Sequence, residues 1–233
     1  MLRLLRGLRG ARGGSGADRV DWGDLRRTTP VSRYFGYDRG QPVDRFYVEG
    51  FLERRRADVR GRVMEIGDDT YTRRFGGERV TRSDVLHVHA GNPRATLVGD
   101  LASGEGIPFD AFDCMVLTQT LHLVFDVRAA VRTVHRALRP GGVLLVTVPG
   151  ISQVEKGEWG ASWYWGLTPR SLRRALEERF APEEVETETH GNALSACAFL
   201  YGLAAEELRR EELEHADPAY PVTVAARARK AAP

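Results

Sequence analysis

Short apolar runs alternate with helical patterns along the middle of the chain, and this alternation limits the fold more than any other feature. The runs lie at 62–67, 79–84, 95–100, 112–119 and 143–148. The last run, VLLVTV, is apolar except for Thr147, which is typical of a central parallel strand buried on both faces. Apolar residues at helical spacing from Val127 to Leu138 predict a helix that ends before Pro140-Gly141-Gly142. The pattern therefore predicts an α/β domain with a mainly parallel sheet.

Further elements are predicted on both sides of this region. After Pro42, apolar residues at helical spacing predict a helix with one buried face. Toward the C-terminus we predict helices at 169–180 and 193–208, a strand at 185–190 and a closing edge strand at 222–228. We divide the chain into a flexible basic tail at 1–30, an aromatic helical lid at 31–60 and an α/β domain at 61–233, with its core at 62–180.

The N-terminal sixteen residues place arginines between leucines. Arginine recurs every third residue from Arg3 to Arg12, and Gly13-Gly14-Ser15-Gly16 follows. The apolar stretch is too short and too interrupted for the central region of a secretory signal. We predict a solvated tail, with a weak membrane-surface or partner contact as the alternative.

Composition excludes several classes of protein. No run approaches the roughly 18 apolar residues that cross a bilayer. Cys114 and Cys197 form no CxxC pair, so we expect a reducing, cytoplasmic setting with neither a disulfide framework nor a metal site. His87 and His89 would point in opposite directions on an extended chain, which also disfavours a metal pair. The net charge of +2, without a basic stripe beyond the tail, indicates no nucleic-acid partner.

Polar residues stand at the ends of four predicted strands. In chain order they are Glu65-Ile66-Gly67-Asp68, Asp84, Asp100-Leu101 and Thr118-Gln119. A strand-end glycine followed about 20 residues later by a strand-end acid is the layout of nucleoside-binding α/β domains. The glycine permits close approach of the ligand, and the acid accepts hydrogen bonds from ribose hydroxyls. Strand ends are also polar for solvation alone, so the order and spacing of the four carry this prediction.

These segments resemble a known family. The stretches VMEIGDD, RSD, LVGDLASGEGIPFDAFDCMVLTQTLHLV and LRPGGVLLVTVPG resemble the motifs of class I S-adenosylmethionine-dependent methyltransferases, especially type 11 domains, over about residues 43–180. The resemblance implies a Rossmann-like methyltransferase fold: a mainly parallel seven-stranded sheet with an antiparallel edge strand and helices on both faces. It also implies that S-adenosylmethionine is the cofactor.

The resemblance implies a role for each strand-end residue. Glu65 and Gly67 would line the methionine and ribose side, and the charge of Asp68 suits the sulfonium and ammonium groups. Asp84 would hold the ribose hydroxyls. The remaining cofactor contacts would be the adenine amine at Asp100, the adenine face at Leu101 and the methionine moiety at Thr118 and Gln119.

The glycine-rich loop departs from the family pattern. Members carry E-x-G-x-G-x-G, whereas Asp69 and Tyr71 replace the second and third glycines here. We predict a rebuilt site that still binds the cofactor. The carboxylate of the cofactor would pair with Arg45, Arg73 or Arg74, since arginine binds carboxylates in a bidentate manner.

For function, the resemblance implies methyl transfer to a small-molecule or glycan acceptor, with O-methylation as our prediction. His122, just past the fourth strand, is the candidate general base; its alternative is to cap a helix or to pack beside its leucine neighbours. The candidate acceptor contacts are Tyr34, Arg45, Trp163 and Tyr164, although the aromatic side chains could equally form local cores.

Two other functions compete with methyl transfer. The altered loop also fits a non-catalytic relative that serves as a binding or scaffold module in glycan biosynthesis. An NAD(P)-dependent oxidoreductase is disfavoured, because the first turn lacks G-x-G-x-x-G.

Overall fold

A computed structural model describes residues 21–232 and contains a seven-stranded sheet with helices on both faces. The strands are β1 (Gly61–Ile66), β2 (Val80–His87), β3 (Leu97–Val98), β4 (Phe112–Thr118), β5 (Leu138–Pro149), β6 (Val185–His190) and β7 (Thr223–Arg229). The helices are α1 (Val43–Arg54), α2 (Val127–Ala137), α3 (Pro169–Leu176), α4 (Ala193–Tyr201) and α5 (Arg210–Glu214). The prediction for the first twenty residues lies outside the described part of the chain.

The strand order of the sheet is β3-β2-β1-β4-β5-β7-β6. The pairs among β1 to β5 are parallel, whereas β7 runs antiparallel to both of its neighbours. The predicted mainly parallel seven-stranded sheet is confirmed. Because β1 to β4 are parallel, their C-terminal ends lie along one edge, where ligands bind in sheets of this kind.

Alternating side chains divide the core between the two faces of the sheet. Val63 and Leu145 face Phe51 of α1, whereas Met64 and Leu144 belong to the cluster that contains α2 and α3. This alternation follows from the two-residue repeat of a strand. Helix α1 is therefore a layer of the domain, and its first turn, together with the stretch before it, reaches the C-terminal edge of the sheet.

Local capping fixes where three helices begin. The Asp126 carboxylate accepts a hydrogen bond from the Ala129 backbone N–H at the start of α2. Capping boxes at Thr168 and Asn192 begin α3 and α4. Helix α4 ends at Gly202, whose φ of 71° is the left-handed conformation that terminates helices. The helix predicted at 193–208 is therefore shorter in the structure, where it ends at Tyr201.

Two strand predictions are wrong, one in its bounds and one in its place in the sheet. Strand β2 continues three residues beyond Asp84, so this carboxylate lies within the strand rather than at its end. The last strand is not at the edge: β7 lies between β5 and β6, and it is buried along most of its length. The more exposed β6 forms the edge instead.

Among residues 21–232, no helix combines the length and the apolar character needed to cross a membrane.

Candidate functional site

A cavity of about 820 Å³ lies at the C-terminal edge of the sheet. It collects the ends of four parallel strands, through Gly67 after β1, His87 of β2, Asp100 after β3 and Gln119 after β4. Of the residues predicted from the sequence, nine line it: Arg45, Gly67, Asp100, Leu101, Thr118, Gln119, His122, Trp163 and Tyr164. The four predicted residues that do not line it are Tyr34, Glu65, Asp68 and Asp84.

The Glu65 carboxylate organises the loop after β1 instead of facing the cavity. It is 3% exposed and accepts hydrogen bonds from the backbone N–H groups of Tyr71, at 3.2 Å, and Thr72, at 2.7 Å. Burial raises the pKa of Glu65 to about 7, although these hydrogen bonds oppose the rise. The residue therefore holds the loop in place from beneath.

Neither of the side chains that replace the family glycines lines the cavity. The Asp69 carboxylate accepts a hydrogen bond from Arg73 Nε at 2.6 Å and one from the Ser83 hydroxyl. Tyr71 packs against Phe75 with 5.8 Å between the ring centroids, and its hydroxyl lies within hydrogen-bonding reach of the Arg45 guanidinium. Asp68 accepts a hydrogen bond from the Thr70 N–H. Gly67, with a φ of 82°, is the loop residue that borders the cavity, and no atom lies within 4 Å of the position of a Cβ on it.

Asp84 is buried between two arginines. Arg62 Nε lies 2.7 Å from Oδ2, and Arg82 Nη2 lies 3.1 Å from Oδ1. Burial alone would raise the pKa of Asp84, but these hydrogen bonds lower it below its ordinary value. The carboxylate is 1% exposed and its charge is neutralised inside the sheet. The end of β2 that borders the cavity carries His87, followed by Val88 and His89.

Asp100 and Leu101 follow β3 and border the cavity together. The Asp100 Oδ1 atom accepts a hydrogen bond from the Ala102 N–H at 2.8 Å, which leaves the other carboxylate oxygen for a ligand. Leu101 is buried and joins the core of the domain. The order of an acid and then an apolar side chain at this strand end is as the sequence predicts.

Gln119 is held in an unusual backbone conformation after β4. Its φ is 47°, a region that residues other than glycine seldom adopt, and its N–H donates to the Thr147 carbonyl at 2.9 Å. The side-chain Oε1 atom is buried without a hydrogen-bond partner. Because such strain is concentrated at functional sites, the geometry points to a ligand contact.

His122 lies in the turn that follows Gln119. It is 2% exposed, and neither ring nitrogen has a hydrogen-bond partner. Its ring lies edge-on to Trp163, with 4.4 Å between the centroids. Burial, and to a smaller extent the positive charge of Arg45, lower the pKa of His122 to about 4. The imidazole is therefore neutral near pH 7 and both nitrogens are available to a ligand.

Arg45 and Asp44 extend from the first turn of α1 to the same cavity. The Arg45 Nε atom is buried without a hydrogen-bond partner, as is the Asp44 Oδ1 atom. The nearest approach of the two groups is 3.9 Å, between Nε and Oδ2. Burial raises the pKa of Asp44, while the neighbouring arginine opposes that rise.

Unpartnered polar atoms are concentrated in this cavity. Ten buried side-chain nitrogen or oxygen atoms of the described residues lack a hydrogen-bond partner, and five belong to residues that line it. These five are Asp44 Oδ1, Arg45 Nε, Gln119 Oε1, His122 Nδ1 and His122 Nε2. Buried polar atoms are normally paired, so this concentration indicates a polar ligand.

Aromatic side chains close the opposite wall of the cavity. Phe35 stacks on Trp163 with 6.1 Å between the centroids and also contacts Phe199. Tyr37 lines the cavity, whereas the predicted Tyr34 is 69% exposed and does not. Sequence reasoning missed His87 as a site residue because it ended β2 at Asp84, and it missed Asp44 although it placed the start of α1 correctly after Pro42. The apolar residues Val85 and Leu86 after Asp84 were the available signal for a longer β2.

The profile of a family described as "Methyltransferase domain" matches residues 43–179. This match covers more than half of the chain. A search among curated proteins finds no match.

Solved structures with this fold include proteins of several activities. The [4+2]-cyclase SpnF is 18% identical, with a TM-score of 0.53 and coverage of 84% of each chain. A SAM-dependent methyltransferase from Archaeoglobus fulgidus is 14% identical, with a TM-score of 0.53 and coverage of 80% of this chain and 94% of that one. The N-methyltransferase NodS from Bradyrhizobium japonicum WM9, in complex with S-adenosyl-L-homocysteine, is 17% identical, with a TM-score of 0.52 and coverage of 82% and 89%. At these identities the likeness shows the fold.

Proposed function

Because the chain belongs to the methyltransferase domain family, whose cofactor is S-adenosylmethionine, we propose that it methylates a hydroxyl group of a small-molecule or glycan acceptor. One observation carries the proposal. The cavity at the C-terminal ends of β1 to β4 contains half of the unpartnered buried polar atoms of the described chain. A polar ligand at this edge of the sheet is what a nucleoside-binding domain of this topology requires.

The residues present fit two parts of the cofactor, the adenine and the methionine end, but they depart from the family pattern at the third part, the ribose. Asp100 and Leu101 offer a carboxylate oxygen and an apolar face for the adenine. Gly67 leaves open space beside the loop, and the free Gln119 Oε1 is an acceptor for the cofactor's ammonium group. At the ribose the usual carboxylate is replaced, because His87 stands at the end of β2. This supports a rebuilt site, in which imidazole rather than carboxylate meets the ribose.

The mechanism asks little covalent chemistry of the protein. S-adenosylmethionine supplies a methyl group on a sulfonium, which is already a good electrophile. Alignment of the acceptor and exclusion of water provide most of the acceleration in such a displacement. The buried turn after β4 and the stacked rings of Phe35 and Trp163 serve both purposes here.

His122 is the proposed general base. Its neutral ring accepts a proton from the acceptor hydroxyl at a ring nitrogen that no protein group occupies. A pKa of about 4 makes it a weak base in the free protein, so a ligand that offsets the charge of Arg45 would strengthen it. Trp163 and Tyr164, with Tyr37, form the proposed acceptor wall, and flat aromatic faces suit sugars or rings.

The replaced residue at the end of β2 favours one alternative. Without a carboxylate facing the ribose, the chain could bind a nucleoside weakly and serve as a non-catalytic module in glycan biosynthesis. The two functions differ in whether a methyl group is transferred.

The test is transfer of an isotopically labelled methyl group from S-adenosylmethionine to a panel of hydroxylated sugars and phenols. We expect at least one acceptor to be labelled, and we expect His122→Ala to lower its rate by about a hundredfold. The dissociation constant of S-adenosylhomocysteine, measured in the same variant, separates a loss of methyl transfer from a loss of cofactor binding. Cofactor binding without transfer to any acceptor would favour the non-catalytic module. An unchanged rate in His122→Ala would remove the histidine from the mechanism.

A further inference from the structure

Arg45 differs from the two other arginines that the sequence offers as carboxylate partners. Arg73 is exposed and pairs with Asp69 at 2.6 Å, and Arg74 pairs with Glu49 at 2.8 Å. Neither of them lines the cavity. Among the described residues that line it, Arg45 is the one arginine or lysine.

The guanidinium of Arg45 has an unused donor. Its Nε atom is buried and has no hydrogen-bond partner. The closest carboxylate oxygen, Asp44 Oδ2, lies 3.9 Å away, which is longer than a hydrogen bond. Asp44 therefore provides charge compensation without satisfying the donor, and an unsatisfied buried donor is costly unless a ligand fills it.

We infer that Arg45 binds a carboxylate group of a ligand in this cavity. The planar guanidinium matches a carboxylate in geometry as well as in charge. The neighbouring unpartnered atoms give the rest of the ligand polar contacts, since Gln119 Oε1 can accept and the His122 nitrogens can accept or donate. The inference rests on the proposed function, because it assigns a subsite within the same cavity.

The carboxylate has two possible sources. One is the amino-acid end of the cofactor, and the other is an acidic acceptor such as a sugar acid. The chemistry at Arg45 is the same in both cases, so the sources are separated by experiment. In both cases the bound carboxylate offsets the charge that lowers the pKa of His122, and the base becomes stronger when the site is loaded.

The experiment compares two cofactor-derived ligands and one simple carboxylate. S-adenosylhomocysteine carries the amino-acid carboxylate, whereas 5′-methylthioadenosine has the same nucleoside without it. Both are titrated calorimetrically into the wild-type protein, Arg45→Gln and the matched control Arg73→Gln. Sodium acetate is titrated against sodium chloride at equal ionic strength, with and without S-adenosylhomocysteine, and the His122 ring signals are followed by NMR.

If the cofactor is the source, Arg45→Gln lowers the affinity for S-adenosylhomocysteine by about tenfold or more and leaves the affinity for 5′-methylthioadenosine unchanged. Acetate then competes with S-adenosylhomocysteine for the wild-type protein. If the acceptor is the source, Arg45→Gln leaves both nucleosides unchanged, and acetate moves the His122 signals of the loaded wild-type protein but not of the variant. Arg73→Gln behaves as wild type in either case.

The inference is overturned if no arm depends on Arg45. A failure of the proposed function gives a different pattern, in which neither nucleoside binds the wild-type protein at millimolar concentration. The acetate arm without nucleoside still tests Arg45 in that event. Asp44→Asn provides a second variant. Because it removes the negative charge that competes for Arg45, the affinity for the ligand carboxylate should rise.

Discussion

The ring of His122 meets the ring of Trp163 edge-on, with 4.4 Å between their centroids, although 41 residues separate them in the chain. The His122 carbonyl also accepts hydrogen bonds from the N–H groups of Tyr164, at 3.1 Å, and Trp165, at 3.3 Å. The turn after β4 and the segment before α3 are thus joined at backbone and side chain. This contact shields the imidazole from water, and burial is the main cause of its lowered pKa.

Replacing Trp163 should make His122 more basic. In Trp163→Ala, water reaches the ring and the pKa of His122 rises from about 4 toward its ordinary value of 6.5, because burial is the main cause of its depression. NMR titration of the histidine ring measures it. Trp22→Ala, at an exposed tryptophan outside the cavity, is the control and should leave it unchanged. An unaltered pKa in Trp163→Ala would contradict the shielding role.

Glu65 should make stability depend on pH. Its pKa of about 7 exceeds the ordinary 4.5, so between these values the folded protein holds a proton that the unfolded chain releases. The stabilisation from this group is complete below the lower value and is lost as the pH rises through about 7. Urea unfolding of the wild type and of Glu65→Gln at several pH values isolates the contribution of Glu65. The contributions of the other titratable groups cancel in the difference between the two unfolding free energies. The free energy of unfolding of the wild type should fall relative to the variant as the pH rises, and a pH-independent difference would contradict this account.

Asp84 should matter for stability rather than for cofactor affinity. Asp84→Asn leaves the arginines around it without a charged partner, and breaking a buried ion pair costs about 3 to 5 kcal/mol of unfolding free energy. The dissociation constant of S-adenosylhomocysteine should not change. Asp110→Asn removes an exposed pair with Lys230 and should cost about 1 kcal/mol or less. A large loss of affinity with normal stability in Asp84→Asn would restore the ribose role.

A carboxylate at the end of β2 should improve nucleoside binding. His87→Asp introduces the acceptor that the ribose hydroxyls lack, and charged hydrogen bonds should tighten S-adenosylhomocysteine by about tenfold. His87→Asn is the matched control, since it has nearly the same shape without the charge. Calorimetry measures the affinity of each variant for S-adenosylhomocysteine. Equal affinities for the two variants would show that the ribose does not contact residue 87.

The sequence predicted the sheet well because strand periodicity and helix caps are local signals. The run VLLVTV and the helical spacing after Val127 each mark an element through local residues, and the structure has β5 and α2 there, although β5 begins earlier than predicted, at Leu138. The position of Asp84 was not predictable in this way. Its burial depends on Arg62 from the neighbouring strand, and a carboxylate that such a partner neutralises extends the strand instead of ending it.

The part of the site that was predicted correctly also depends on local signals, namely the polar residues at strand ends. Asp100 and Leu101 lie just after β3, and Thr118 and Gln119 lie at the end of β4, so topology alone brings them to the cavity. Glu65 was assigned to the ligand from a motif, but its carboxylate binds the backbone of the following loop. The positions of Asp69 and Tyr71, outside the cavity lining, depend on contacts with Arg73 and Phe75 and cannot be read from the altered motif.

The central claim is that this cavity binds the cofactor despite the altered loop. Calorimetric titration of the wild-type protein with S-adenosylhomocysteine tests it most directly, with Gln119→Ala as the site variant. The account predicts saturable binding of one ligand per chain and a clear loss of affinity in the variant, because the unpartnered Gln119 Oε1 is the proposed acceptor for the cofactor's ammonium group. No heat of binding at millimolar S-adenosylhomocysteine would contradict it.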